Sequence, residues 1–127
     1  MGHILLIEPD VVLAQTYGRA LEHAGHSVSH ALTAQHGLDS ADAHLPQVVI
    51  LELQLSAHNG IEFLYEFRSY PEWEGIPIII NTYIPLPELA AVQVVLTKEL
   101  GVRGCYYKPQ TSLQLLLRSV VEQLQPA

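Results

Sequence analysis

Along this chain, short apolar runs alternate with longer stretches whose apolar residues recur at helical spacing, and few architectures accept that alternation. The runs lie at His3–Ile7, Ser27–Ala31, Val48–Leu51, 76–80 and 104–107. Between them, Leu13, Tyr17, Ala20 and Leu21 form one stripe and Ile61, Leu64 and Phe67 another. Leu89, Val92, Leu96 and Leu100 form a third, and each stripe can face a sheet. Segment 33–43 offers a partial apolar face through Leu38 and Ala41, although its His36-Gly37 pair lowers helix propensity. Segment 112–123 has the most regular stripe and a hydroxyl available to cap it. Gly25 and Gly101 follow the first and fourth helical segments, and Pro46, Pro77 and Pro109 fall at strand or loop edges. Five strands interleaved with five helices predict a three-layer α/β fold. Its five-stranded parallel sheet is doubly wound, in the flavodoxin-like order 2-1-3-4-5 with right-handed crossovers.

Composition narrows what such a domain does. A chain of 127 residues is read as one domain, 1–127, large enough to bury a core without staples. With 49% hydrophobic and 15% charged residues it is too apolar for disorder. Thirteen Asp+Glu against six Lys+Arg give a formal net charge of -7, which argues against a general nucleic-acid surface and favours protein or metal partners. Cys105 is alone, so no intramolecular disulfide forms, which is compatible with a reducing cytosol. The first residues have no cationic region and only four consecutive aliphatics, too short for a signal peptide's core, and no run reaches the roughly 18 residues of a membrane helix. A cytoplasmic protein that contacts neither membrane nor nucleic acid directly is the expectation.

One acid raises the functional question. In "QVVILELQLSAHNG" the apolar third strand runs straight into Glu52, and a buried carboxylate is costly unless paired, ligated or used. Sheets of this kind bind at the carboxyl ends of their strands. Those ends bring Glu8 and Asp10 after the first strand, Glu52 after the third, Thr82 after the fourth and Lys108 after the fifth. Crowded acids raise one another's pKa and a lysine relieves that, so an ion pair between Glu52 and Lys108 is expected.

The motifs "ILLIEPD", "VVILELQLSAHNG", "IPIIINT" and "GCYYKP", in this order over residues 4 to 124, resemble the receiver domain of two-component response regulators, the CheY-like family. In that family an aspartate after the third strand takes a phosphoryl group from a histidine kinase. An acidic pair after the first strand holds Mg²⁺, a Thr or Ser and a Lys contact the phosphoryl oxygens, and an aromatic on the fifth strand reports the switch. The resemblance places Glu52 at the phosphoacceptor position, Glu8 and Pro9 at the acidic pair, Thr82 at the hydroxyl and Lys108 at the lysine. In the family the bond matching Lys108–Pro109 is often cis. Cys105 stands at the aromatic switch position, with Tyr106 beside it.

Two positions depart from the family pattern. Pro9 has no side-chain oxygen, so the usual metal carboxylate is gone and no Mg²⁺ or other cofactor is expected; Asp10 could substitute, but beside Pro9 the cap or start of the first helix is the favoured role. Glu52 is longer than aspartate by one methylene, roughly 1.5 Å, a displacement severe for in-line transfer. The expectation is therefore an atypical receiver, or pseudo-receiver, that acts as a protein-interaction module rather than an enzyme. Glu52 then either imitates a phosphoryl group or is only a structural ion pair. A receiver phosphorylated through unusual chemistry is the alternative within the class. A histidine kinase, an output domain or a second copy are the implied partners, the last through the fourth helix, fifth strand and fifth helix. Lys98, Arg103 and Arg118 with Glu88, Glu99 and Glu122 supply charge for that surface.

Other constellations carry less. His23, His26 and His30 do not form a helical zinc pair, because Gly25 interrupts the helix between the first two and the third lies on a strand. "LLIEPDVV" is similar to the first motif of haloacid-dehalogenase-type phosphatases, but Glu8 holds the nucleophile position and no later acid pair follows. A flavin site would need glycines or hydroxyls after the first strand, which are absent.

Overall fold

The computed structural model describes residues 2–55 and 59–125. Five parallel strands, β1 (His3–Ile7), β2 (Ser27–Ala31), β3 (Val48–Leu51), β4 (Ile78–Thr82) and β5 (Val102–Tyr107), form one sheet in the order β2-β1-β3-β4-β5. Four α-helices flank it: α1 (Val11–His23), α2 (Ala34–Ala43), α3 (Gly60–Arg68) and α4 (Leu113–Leu124). The doubly wound order expected from the alternation of runs is the one observed.

Strand side chains alternate between two cores. Leu5, Ile7, Val49, Leu51, Ile78 and Ile80 face α2 and α3, where Leu38, Phe63, Phe67 and Trp73 close the layer. Ile4, Leu6, Val48, Ile50 and Ile79 face α1 and α4, against Ala14, Leu21, Leu116 and Val120. Helix starts are capped by side chains: Asp10, Thr33, Asn59 and Ser112 each accept from a backbone N–H three residues on. Gly37, which lowers the propensity of α2, sits where a Cβ would lie 2.7 Å from Ile7 Cδ1, so its absence lets the helix approach β1.

Three boundaries differ from the expectation. Strand β4 begins two residues later, because Pro77 has no N–H for the ladder and contributes only its carbonyl, to the Val49 N–H at 3.0 Å. Thr82 thereby becomes the last residue of the strand. Strand β5 begins two residues earlier, with a register shift against Ile78 and Ile79 next to Gly104.

The expected fourth helix is not α-helical. Residues Leu86–Val92 wind as a 3-10 helix and Val95–Glu99 as a π-helix. Pro85 and Pro87 remove donors at its start, and the closing bond runs from the Leu100 N–H to the Val95 carbonyl at 2.9 Å. A π turn takes one residue more than an α turn. The stripe is still buried through Leu89, Leu96 and Leu100, since a change of winding is tolerated where burial is kept. No helix among the described residues is long and apolar enough to cross a membrane.

Candidate functional site

The carboxyl edge of β1, β3, β4 and β5 collects a buried polar cluster. Ile7 pairs with Leu51 across β1 and β3, so the next residues, Glu8 and Glu52, leave the sheet side by side. Thr82 pairs with Tyr107 across β4 and β5, which sets Thr82 and Lys108 on the opposite flank. Gly60 makes the turn above β3 possible: a Cβ there would lie 2.7 Å from the Leu53 Cα, and its N–H donates to the Leu53 carbonyl at 2.8 Å. Part of the turn after Glu52, residues 56–58, lies outside the described residues.

Lys108 Nζ donates to Glu8 Oε1 at 2.6 Å and to Glu52 Oε1 at 2.8 Å. Glu52 Oε1 also accepts from the Tyr83 N–H at 3.0 Å. Its other oxygen, Oε2, accepts from the Thr82 hydroxyl and from the Gln54 N–H at 3.0 Å. Thr82 Oγ1 in turn accepts from the Ile84 N–H at 3.1 Å. Glu8 and Glu52 are each 2% exposed and Thr82 is fully buried, so these bonds replace water almost completely. Four donors on one carboxylate remove the cost that its burial raises.

The electrostatics follow from these contacts. Burial pushes the Glu52 carboxyl up, but hydrogen bonds from Lys108, Thr82 and the Gln54 amide, with the charge of Lys108, more than offset it and leave the acid below its usual value. Burial likewise works against the Lys108 ammonium, and the bonds and charges of Glu52 and Glu8 reverse it, raising the amine. Tyr83 lies across the opening, its ring 4.4 Å from Lys108 Nζ in a cation–π contact.

Asp10 is the member of the expected cluster that the structure sets apart. Its exposed carboxylate accepts from the Leu13 N–H at 3.1 Å as the cap of α1, and only its own N–H reaches the cluster, donating to Glu8 Oε2 at 3.0 Å. The three free donors of the helix start outcompete the crevice for that carboxylate. All peptide bonds described are trans, the Lys108–Pro109 bond included, although the family's matching bond is often cis. Cys105 and Tyr106 take opposite faces of β5. Cys105 packs against the α2–α3 core and burial pushes its thiol up. The Tyr106 hydroxyl donates to Ser119 Oγ on α4 at 3.0 Å.

Several participants carried no signal that side-chain reasoning reads. The Tyr83 and Gln54 contacts to Glu52 are made by backbone N–H groups. Tyr17, near enough to feel the charges of Lys108 and Glu8, and the buried Asn81, next to Thr82 in the chain, also border the cluster, and a tyrosine of the first stripe gave no hint of this. The tempting histidines do not converge: His26 Nδ1 accepts from the Gly2 N–H, His30 Nε2 bonds the Glu8 carbonyl, and His23 is exposed. Among the described residues no three His, Cys, Asp or Glu side chains are grouped to hold a metal ion.

A family model described as the response regulator receiver domain matches residues 4–119. The KDP operon transcriptional regulatory protein KdpE of Escherichia coli is 34% identical over 80 residues, which is 63% of this chain and 34% of that protein. The response regulator ArlR of Staphylococcus aureus is 34% identical over 82 residues, 65% of this chain and 36% of that protein. The chain thus spans about a third of the length of the curated relatives it matches. Among solved structures, the chemotaxis protein CheY4 of Vibrio cholerae superposes with a TM-score of 0.85 at 24% identity, over 98% of this chain and 99% of that one, a likeness of fold.

Proposed function

Because the chain belongs to the response regulator receiver family, matched over residues 4–119, we propose that it is an atypical receiver whose pocket is held in one state by its own glutamate instead of by a phosphoryl group. The observation that carries this reading is Glu52, whose two oxygens hold the Thr82 hydroxyl and the Lys108 ammonium at once. Those are the two groups that contact phosphoryl oxygens in the family. A carboxylate whose lone pairs already accept four hydrogen bonds has none directed at an incoming phosphorus atom.

The donor set also disfavours Mg²⁺. One Glu8 oxygen is taken by Lys108 and the other by the Asp10 N–H, Pro9 offers nothing, and the Asp10 carboxylate is a helix cap. Octahedral coordination would have to strip oxygens from an ammonium already seated among them. Signalling then runs through protein partners: a histidine kinase or an output domain, or a second copy through the 3-10 and π segments, β5 and α4. A cytoplasmic setting fits the lone, half-buried Cys105.

Intact mass after incubation with acetyl phosphate and Mg²⁺ tests the reading. Wild type and Glu52→Asp stay unmodified, while Pro9→Asp/Glu52→Asp gains one labile phosphoryl group. In that product an aspartate oxygen has bonded to phosphorus and acetate has left with the electron pair. A modified wild type overturns the proposal and makes this a receiver with unusual acceptor chemistry.

A further inference from the structure

Between α2 and α3, on the face away from α1 and α4, lies a groove that the carboxyl-edge cluster does not use. Its main cavity of about 500 Å³ is continuous in its lining with a second of about 230 Å³, the two sharing Gln35, Leu38 and Glu66. The floor is apolar: Ala34, Leu38 and Phe63 in the larger part, Trp73 in the smaller. The rim is acidic, with Glu62 and Glu66 on one helix and Asp39 and Asp42 on the other. Tyr65 and Tyr70 stand on the rim 53% and 39% exposed, large rings left largely in water. Among the described residues, no lysine or arginine lines either part. Arg68, at the end of α3, is committed elsewhere, to the carbonyls of Leu100, Trp73, Glu74, Ile76 and Gly101.

We propose that this groove docks a basic amphipathic helix of a partner protein, its apolar face on the exposed rings of Tyr65 and Tyr70 above the Leu38, Phe63 and Trp73 floor and its arginines or lysines against the acidic rim. A helix in a groove between two helices needs an apolar stripe flanked by charge opposite to the rim. Exposed tyrosines add faces over which a guanidinium stacks. Four rim acids in a chain of net charge -7 steer a cationic segment toward the groove and repel an acidic one or an anionic lipid surface. The same charges argue against a second copy, because a two-fold interface lays the patch on itself and opposes acid to acid. The inference does not depend on whether Glu52 accepts a phosphoryl group.

The probe is a synthetic helical peptide of about 15 residues with leucines along one face and arginines flanking them, titrated into the ¹⁵N-labelled chain at low and high salt. Two variants separate the outcomes. Asp39→Lys/Glu66→Lys reverses the rim, and Glu88→Lys/Glu99→Lys makes the same net change on another face. The expected result is a set of amide shifts confined to α2, α3 and the Trp73 turn. Affinity falls about tenfold with the rim reversal and with added salt, and is unchanged by the Glu88/Glu99 control. Shifts centred on another face, equal losses in both charge variants, or concentration-dependent self-association that the rim reversal strengthens would overturn it. Exposed rim positions leave the fold intact, which thermal melts of each variant check.

Discussion

Two cations are withdrawn from water at opposite edges of this sheet, Lys108 buried and Arg68 half-buried, and they are satisfied by different means. Lys108, at the carboxyl edge, is held by two carboxylates, Glu8 and Glu52, at 2.6 and 2.8 Å. Arg68, at the amino ends of β4 and β5, is held by five backbone carbonyls, the closest at 2.7 Å from Trp73 and Ile76. Burial lowers the Arg68 pKa, with Arg103 adding to that and Glu74 opposing it, whereas the acids around Lys108 raise the amine. Carbonyl oxygens belong to the fold and cannot be protonated or exchanged. Carboxylates can be titrated, shortened or replaced, so the carboxyl edge is where chemistry can be built and the other edge is where the chain is tied.

The largest way to break this comparison is Lys108→Met. It leaves Glu8 and Glu52 buried against each other without a cation, and loss of one partner from a buried pair costs about 3–5 kcal/mol. Urea unfolding at neutral pH should show that loss, and the deficit should shrink as acid protonates the stranded Glu52. Arg68→Lys is the matching change at the other edge. An ammonium offers three donors where the guanidinium offers five in a fixed fork, so carbonyls of the Trp73 turn or of Leu100 and Gly101 lose partners, at about 2–3 kcal/mol. Because those carbonyls do not titrate, the deficit should be the same at pH 5 and pH 8. A pH-dependent Arg68→Lys deficit would undo the distinction.

How far the sequence reveals each edge follows from what holds it. Strands and their order are legible because uninterrupted apolar runs such as Val48–Leu51 can only be buried between helical layers. Glu8, Glu52, Thr82 and Lys108 are legible because each stands at the carboxyl end of such a run, one side chain per strand. Asp10, just before a helix and beside Pro9, reads as its cap more readily than as a crevice acid, and the cap is the role it takes. The stripe Leu89, Val92, Leu96 and Leu100 shows which face is buried but not the winding, because spacings of three and four suit an α-helix and a 3-10 helix followed by a π turn alike. The Arg68 knot leaves no mark at all. Its acceptors are main-chain atoms, up to 33 residues away, that every residue carries.

A smaller change tests whether Glu52 is held as a unit. Thr82→Val keeps the shape of the side chain and removes the hydroxyl, leaving Glu52 Oε2 with the Gln54 N–H alone. The expected cost is about 1–2 kcal/mol in chemical denaturation. If the pair with Lys108 alone held Glu52, the variant would be neutral, and the reading of a carboxylate seated between hydroxyl and ammonium would fail.

The smallest effect is also the one that assigns a sign to each group. Glu52 is lowered from its usual 4.5, so in the unfolded chain it takes up a proton at higher pH than in the native one. Its contribution to stability is complete above pH 4.5 and is lost as pH falls through the lowered native value. Lys108, raised from its usual 10.5, behaves oppositely: its contribution is complete below pH 10.5 and is lost as pH rises through the raised value. Between these edges the difference in stability between wild type and Glu52→Gln should be flat, falling only on the acid side. Arg68→Lys should run parallel to wild type across the acid range. If the Glu52→Gln difference instead declines between pH 7 and 5, burial outweighs Lys108 and Thr82 at Glu52. The carboxyl edge would then be a neutralisable site rather than a permanently charged one, and its likeness to a phosphoryl group would be lost with the charge.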